Sequence, residues 1–202
     1  MAKQLATSMS ERLGVDGGGF RDTPLEHETL GRLAQPQTPV KENSIAAMVF
    51  IRLARLAHDE RYEAIARATL TRFTHVAESQ GYFASDYAKA VDLLLNPGAD
   101  VKIVATPGDS AVDALHAAAL ALPVADRVIR TIDATDGAAL VAEALPPHPS
   151  PAAYVCYGTL CSAPVTTPDD LFEIVERTKQ AYESTRPSMP LAGPRGGGMA
   201  SD

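Results

Sequence analysis

The chain has 202 residues, 46% hydrophobic and 21% charged, with a formal net charge of −7 and a pI of about 5.2. That is enough chain for one large or two small globular domains with a sizeable core. The acidic balance argues against a nucleic-acid or anionic-membrane surface, since both need clustered Lys and Arg.

No apolar run approaches the roughly 18 residues of a membrane span. The N-terminal MAKQLATSMSERLG has no apolar core of the kind a secretory signal carries. With only two cysteines, these features lead to the expectation of a cytoplasmic protein in a reducing setting, without a disulfide framework.

Residues 3–13 carry Leu5, Met9 and Leu13 at helical spacing and stop at Gly14. The next stretch, VDGGGFRDTP, has three consecutive glycines, which allow positive φ or a close backbone approach. It reads as a tight loop or a ligand-contacting one. It is not a phosphate-binding loop, because no Gly-Lys-Ser/Thr follows and no strand precedes it.

Residues 25–40 are polar and lack a period. A helix then begins near Pro39 or Asn43, with Thr38 or Asn43 as cap, and runs to Ala57. It is apolar nearly all round, which predicts burial on most sides, with Arg52 and Arg55 on the wettest edge. Asp59 caps a helix over 60–78, and a further helix over 83–95 stops at Asn96-Pro97-Gly98. Helices in this order with short links form α-hairpins.

After Gly98 the texture changes. Strands are predicted over 100–106, 127–132 and 152–157, with helices over 110–121, 137–145 and from Pro168, the last capped by Thr167. The alternation of strand and helix predicts a small, mainly parallel sheet with right-handed crossovers. The expected organisation is therefore a helical region over 1–97, an α/β lobe over 99–185 and a disordered low-complexity tail over 187–202. The helical region leaves apolar faces that need covering, so the chain is expected to pack against another copy or another protein.

Both cysteines lie in PAAYVCYGTLCSAPV. Cys156 and Cys161 read as two buried structural thiols, a redox or disulfide-forming pair, or half a metal site. A thioredoxin-type pair has two intervening residues, and here there are four. Zinc would need two further ligands at a suggestive spacing, and none is present, so no metal and no cofactor is expected. A turn at Gly158 would bring the two Cα atoms within disulfide reach.

Four segments together resemble one family. They are Gly17-Gly18-Gly19-Phe20-Arg21-Asp22-Thr23; Glu42-Asn43-Ser44-Ile45-Ala46-Ala47; the helix pair with Arg52-Leu53-Ala54 and Asp59-Glu60-Arg61-Tyr62; and Ala152-Tyr154-Val155-Cys156 with Cys161, Pro164-Val165 and Pro168. In order and spacing they are similar to the spermatogenesis-associated thioredoxin-like proteins, over roughly residues 3–180. The resemblance implies an N-terminal thioredoxin-like domain followed by a six-hairpin (α/α)6 barrel like that of sugar 2-epimerases and some glycosidases. This chain then corresponds to the C-terminal part, an incomplete barrel followed by the α/β lobe. The thioredoxin-like domain and most hairpins would lie before Met1.

In barrels of that kind, polar residues at helix ends line the pocket. Asp22 and Glu42 are the candidate acid/base pair, and Phe20, Asn43 and Tyr87 the candidate substrate contacts. Each also has a structural reading: Asp22 as a turn residue, Asn43 as a cap, Tyr87 as core. Two functions stay open at this point. One is the C-terminal part of a barrel enzyme or redox protein. The other is a non-catalytic subunit that completes a partner's barrel or self-associates.

Overall fold

A computed structural model describes residues 1–24, 35–148 and 151–185 of the chain. The residues expected to form the disordered tail, and most of the polar stretch after Pro24, lie outside them.

Helix α1 (Ala2–Leu13) ends at Gly14 and leads into the glycine loop. Helix α2 (Val40–Ala57) follows Pro39, whose extended backbone suits a residue just before a helix. Neither Thr38 nor Asn43 caps it; Asn43 lies one turn inside and is buried. Asp59 does cap α3 (Glu60–Arg72), its side chain accepting from Arg61 N–H.

The helix expected to run on to residue 78 breaks at Phe73, and α4 (Thr74–Gln80) and a 3-10 turn over Gly81–Ala84 lead to α5 (Ser85–Leu95). Phe50 stacks on Phe20 with ring centroids 5.4 Å apart, inside a core of α1, α2, α3 and α5 side chains. A ring buried this fully contributes on the order of 1.5–3 kcal/mol.

The sheet comprises β1 (Ala99–Ala105), β2 (Arg127–Asp133), β3 (Ala152–Tyr157) and β4 (Leu160–Cys161), in the order β2-β1-β3-β4. β1 and β2 are parallel, joined through α6 (Ala111–Ala121), whereas β3 runs antiparallel to both β1 and β4. The sheet is thus mixed, not mainly parallel.

Between β2 and β3 the chain forms α7 (Gly137–Ala142), six residues where the sequence predicts a helix over 137–145, and β3 enters from the end where β2 finished.

Strand alternation sorts the sheet's two faces. Val101, Ile103, Val155 and Tyr157 pack against α6 and α8 (Pro168–Thr185). Val104, Ile132 and Tyr154 pack against Leu140 of α7 and Leu145. On that second face, toward the start of β1, the row changes to Asp100 and Lys102. Thr167 caps α8 as expected: its Oγ1 accepts from Asp170 N–H and donates to the Asp170 carboxylate. Among the described residues no helix is long and apolar enough to cross a membrane.

Candidate functional site

Three features gather chemistry-bearing side chains: a charged cluster on the sheet, a cleft beside it, and the cysteine pair.

The cluster grows from strand alternation. Asp100 and Lys102 project from one face of β1, and Lys102 pairs in register with Arg130 of β2. Glu143, just past the end of α7, and His58, the left-handed C-cap of α2 (φ 51°), close over them. Arg130 binds Asp100 Oδ2 at 2.7 Å and Glu143 Oε1 at 2.5 Å. Lys102 Nζ donates to the Glu143 C=O at 3.1 Å. It lies equally close to Glu143 Oε2, but that oxygen gains a charge contact rather than an aligned hydrogen bond.

His58 Nε2 is 2.8 Å from Glu143 Oε1 and also meets Arg130. It accepts from the guanidinium when unprotonated there and donates to the carboxylate when protonated. Burial pushes the Glu143 carboxyl up. The hydrogen bond from His58 and the adjoining charges of Lys102 and Arg130 outweigh it, and its pKa is lowered.

Beside this cluster α2 makes a second charged junction. Asp126, just before β2, receives Arg52 Nε at 2.8 Å and Arg55 Nη1 at 2.5 Å. Arg55 Nη2 also donates to the C=O groups of Gly98 and Ala99. The two arginines therefore face the sheet half of the molecule. Arg52, 41% exposed, still shares the wet outer strip of α2 with the exposed Ile45, Val49 and Leu56, whereas Arg55 is 17% exposed and lies off it.

This junction borders a cleft of about 580 Å³, lined among others by Arg52, Lys89, Asp92, Asp126, Tyr157 and Lys179. Tyr157 is 5% exposed, and its hydroxyl has no hydrogen-bond partner among the described residues. Burial, then Glu176 and Glu183, raise its pKa, so it remains a neutral donor at physiological pH.

The sulfurs of Cys156 and Cys161 are joined as a disulfide, not held as two separate thiols. Gly158, at φ 57°, turns the chain so that β4 lies antiparallel to β3 with positions 156 and 161 directly opposite. The Cα atoms are then 4.0 Å apart. Cys156 is 2% exposed and Cys161 is exposed at the sheet edge.

The remaining candidates from the sequence are placed as follows. Phe20 is core, and Asn43 holds its backbone through Oδ1 and Nδ2. Asp22 accepts from Gln37 N–H at 2.9 Å, 15 residues along the chain. It borders a shallow cavity at the end of α1 that Glu42 does not line. Glu42 is exposed on the first turn of α2. Tyr87 donates to Leu70 C=O at 3.0 Å and borders an open groove with Tyr82 and Val91.

Sequence spacing does not mark Asp100, Lys102, Arg130, Glu143, Tyr157 or His58 as a cluster. The available signal was the alternation in DVKIVAT, which sets Asp100 and Lys102 on one face. Among the described residues no group of three or more His, Cys, Asp or Glu side chains is placed to hold a metal ion. Comparison with protein-family models, curated proteins and solved structures finds no match.

Proposed function

We propose that this chain is the C-terminal part of a thioredoxin domain-containing protein of the six-hairpin, sugar-epimerase/glycosidase-like type, and that its helices dock against further hairpins of that barrel. The observation that carries this is the outer face of α2. Ile45, Val49 and Leu56 recur at helical spacing and all are exposed, Val49 by 52%, while the opposite face is buried in the core. A helix that is apolar on both sides needs a partner on each. Tyr82 and Phe83, packed edge to face, are exposed as well. The resemblance in the glycine loop and the cysteine segment supplies the family.

The docked face is non-catalytic in this reading, and any chemistry of the whole protein resides in residues the hairpins share. The test is the association state of the full chain by light scattering over a concentration series, with and without Ile45→Asp/Val49→Asp. The wild type is expected to associate through this stripe, and the variant to be monomeric with unchanged circular dichroism. A wild-type chain that is monodisperse and monomeric throughout would remove the reading. A neighbouring reading frame for a thioredoxin-like domain and the other hairpins would identify the covering partner, whereas self-association alone would favour an oligomeric subunit.

A further inference from the structure

We infer that the Cys156–Cys161 disulfide is a substrate for thiol–disulfide exchange with a dithiol protein of the thioredoxin type, and that Cys161 is the sulfur attacked. The inference rests on the reading above only for the class of the reductant; the choice of sulfur comes from the fold.

In the sheet order β4 is the edge strand, two residues long, and Cys161 is exposed on it. Cys156 lies on the buried strand β3, directly opposite Asp100 in the β1 register and itself 2% exposed. An attacking thiolate must reach one sulfur while the other departs, and access decides which. Among the described residues, Cys161 is exposed to an incoming protein and Cys156 is buried.

The step balances without a further reactant. The partner's first thiolate bonds to Cys161 Sγ, the Cys156–Cys161 bond breaks, and its electron pair leaves on Cys156 Sγ, which takes a proton from water. The partner's second thiolate then attacks its own first sulfur and releases Cys161 as a thiolate, which is protonated in turn. The chain gains two electrons and two protons, and the partner becomes a disulfide.

Reduction frees β4 from its covalent tie to β3. The edge then rests on non-covalent ties: the Tyr157–Leu160 pairing, Ser162 N–H to Val155 C=O at 2.8 Å, Val155 N–H to Ser162 Oγ at 3.0 Å, and the paired bonds between Ala153 and Val165. Tyr157, which lines the cleft, is the next residue after Cys156. The exchange therefore acts on the strand that forms one wall of the cleft.

The test uses the full chain, isolated without reductant, and a thioredoxin-type protein whose second cysteine is replaced by Ser so that the mixed disulfide is trapped. Peptide mass spectrometry of the adduct is expected to show the Cys161 linkage in about tenfold or greater excess over Cys156, with Cys156 alkylatable. Two alkylatable thiols in the untreated chain, linkage mainly through Cys156, or no adduct with the native chain would each overturn the inference. The barrel reading is tested separately by the association of the Ile45→Asp/Val49→Asp variant, which involves no thiol, so either proposal can fail alone.

Discussion

Asn43 holds Phe20 by its backbone: Oδ1 accepts from Phe20 N–H at 2.6 Å, and Nδ2 donates to Phe20 C=O at 2.9 Å and to Pro39 C=O at 2.8 Å. One side chain thus ties the glycine loop to the start of α2, and stations Phe20 against Phe50. Asn43→Ala leaves these backbone groups without partners in a buried setting, at a cost of about 2–4 kcal/mol. The expected readout is a fall in Tm of roughly 5–15 °C in calorimetry. A fall within about 2 °C would show that water replaces the side chain.

Gly98 is needed because the chain is crowded there. A Cβ at this position would lie 2.4 Å from Asp126 C=O, which also accepts from Ala99 N–H. Gly98→Ala must push apart the start of β1 and the Asp126 junction that Arg52 and Arg55 grip. A loss of about 1–3 kcal/mol in urea unfolding is expected. Gly17→Ala is the informative companion: its added Cβ meets nothing within 4 Å, so its cost comes from the positive φ of 80° alone.

Glu143 has a folded-state pKa below its ordinary value of 4.5. Its contribution to stability is therefore fully present above the ordinary value and is lost as pH falls through the depressed one. Glu143→Gln leaves the largely buried Lys102 and Arg130 without their shared carboxylate, costing roughly 3 kcal/mol at neutral pH. The gap between wild type and variant should close as urea unfolding is repeated below pH 4.5. A gap that stays constant to the acid end would locate the effect in packing instead of charge.

The disulfide closes a short loop, with a sequence separation of 5. Chain-entropy reasoning assigns a loop of this size about 2 kcal/mol. Cys156→Ala/Cys161→Ala is expected to lower stability by that amount relative to the oxidised wild type, and to match the reduced wild type within about 0.5 kcal/mol. Equal stability of all three forms would mean that the bond constrains the unfolded chain no more than the hairpin's own turn does.

Most of the secondary structure was legible, because the apolar period of α8 and the apolar runs of β1 and β3 reflect burial directly, whereas the same signal on α1 and α2 also includes exposed residues, Leu5, Ile45, Val49 and Leu56. Gly17, Gly18 and Gly19 adopt positive φ as the glycine run implied, and an added Cβ on Gly18 would lie 2.5 Å from the Ala68 backbone. Sheet direction was not legible. It depends on the course of the whole connection between β2 and β3, and the even, alanine-rich texture of residues 137–145 hides the place where the helix ends. The helix stops at Ala142, before Glu143 and the left-handed Ala144.

The charged clusters were hidden for a different reason. Arg52 and Asp126, or His58 and Glu143, are 74 and 85 residues apart, and periodicity carries no information about such pairs. Arginine on an apolar helix reads as a solvent-facing residue until the sheet is placed beside it.

Arg52 sits between Val49 and Leu56 on the outer stripe of α2 and reaches Asp126 at the mouth of the cleft. Whatever covers that stripe also removes water from this ion pair, which strengthens the attraction while withdrawing the guanidinium from other company. If the outer face is covered as proposed, occupancy of that face and of the cleft would be coupled through Arg52, and linkage runs both ways. A molecule held in the cleft by Arg52 or Asp126 would change the affinity of the docked partner by the same factor that the partner changes its own.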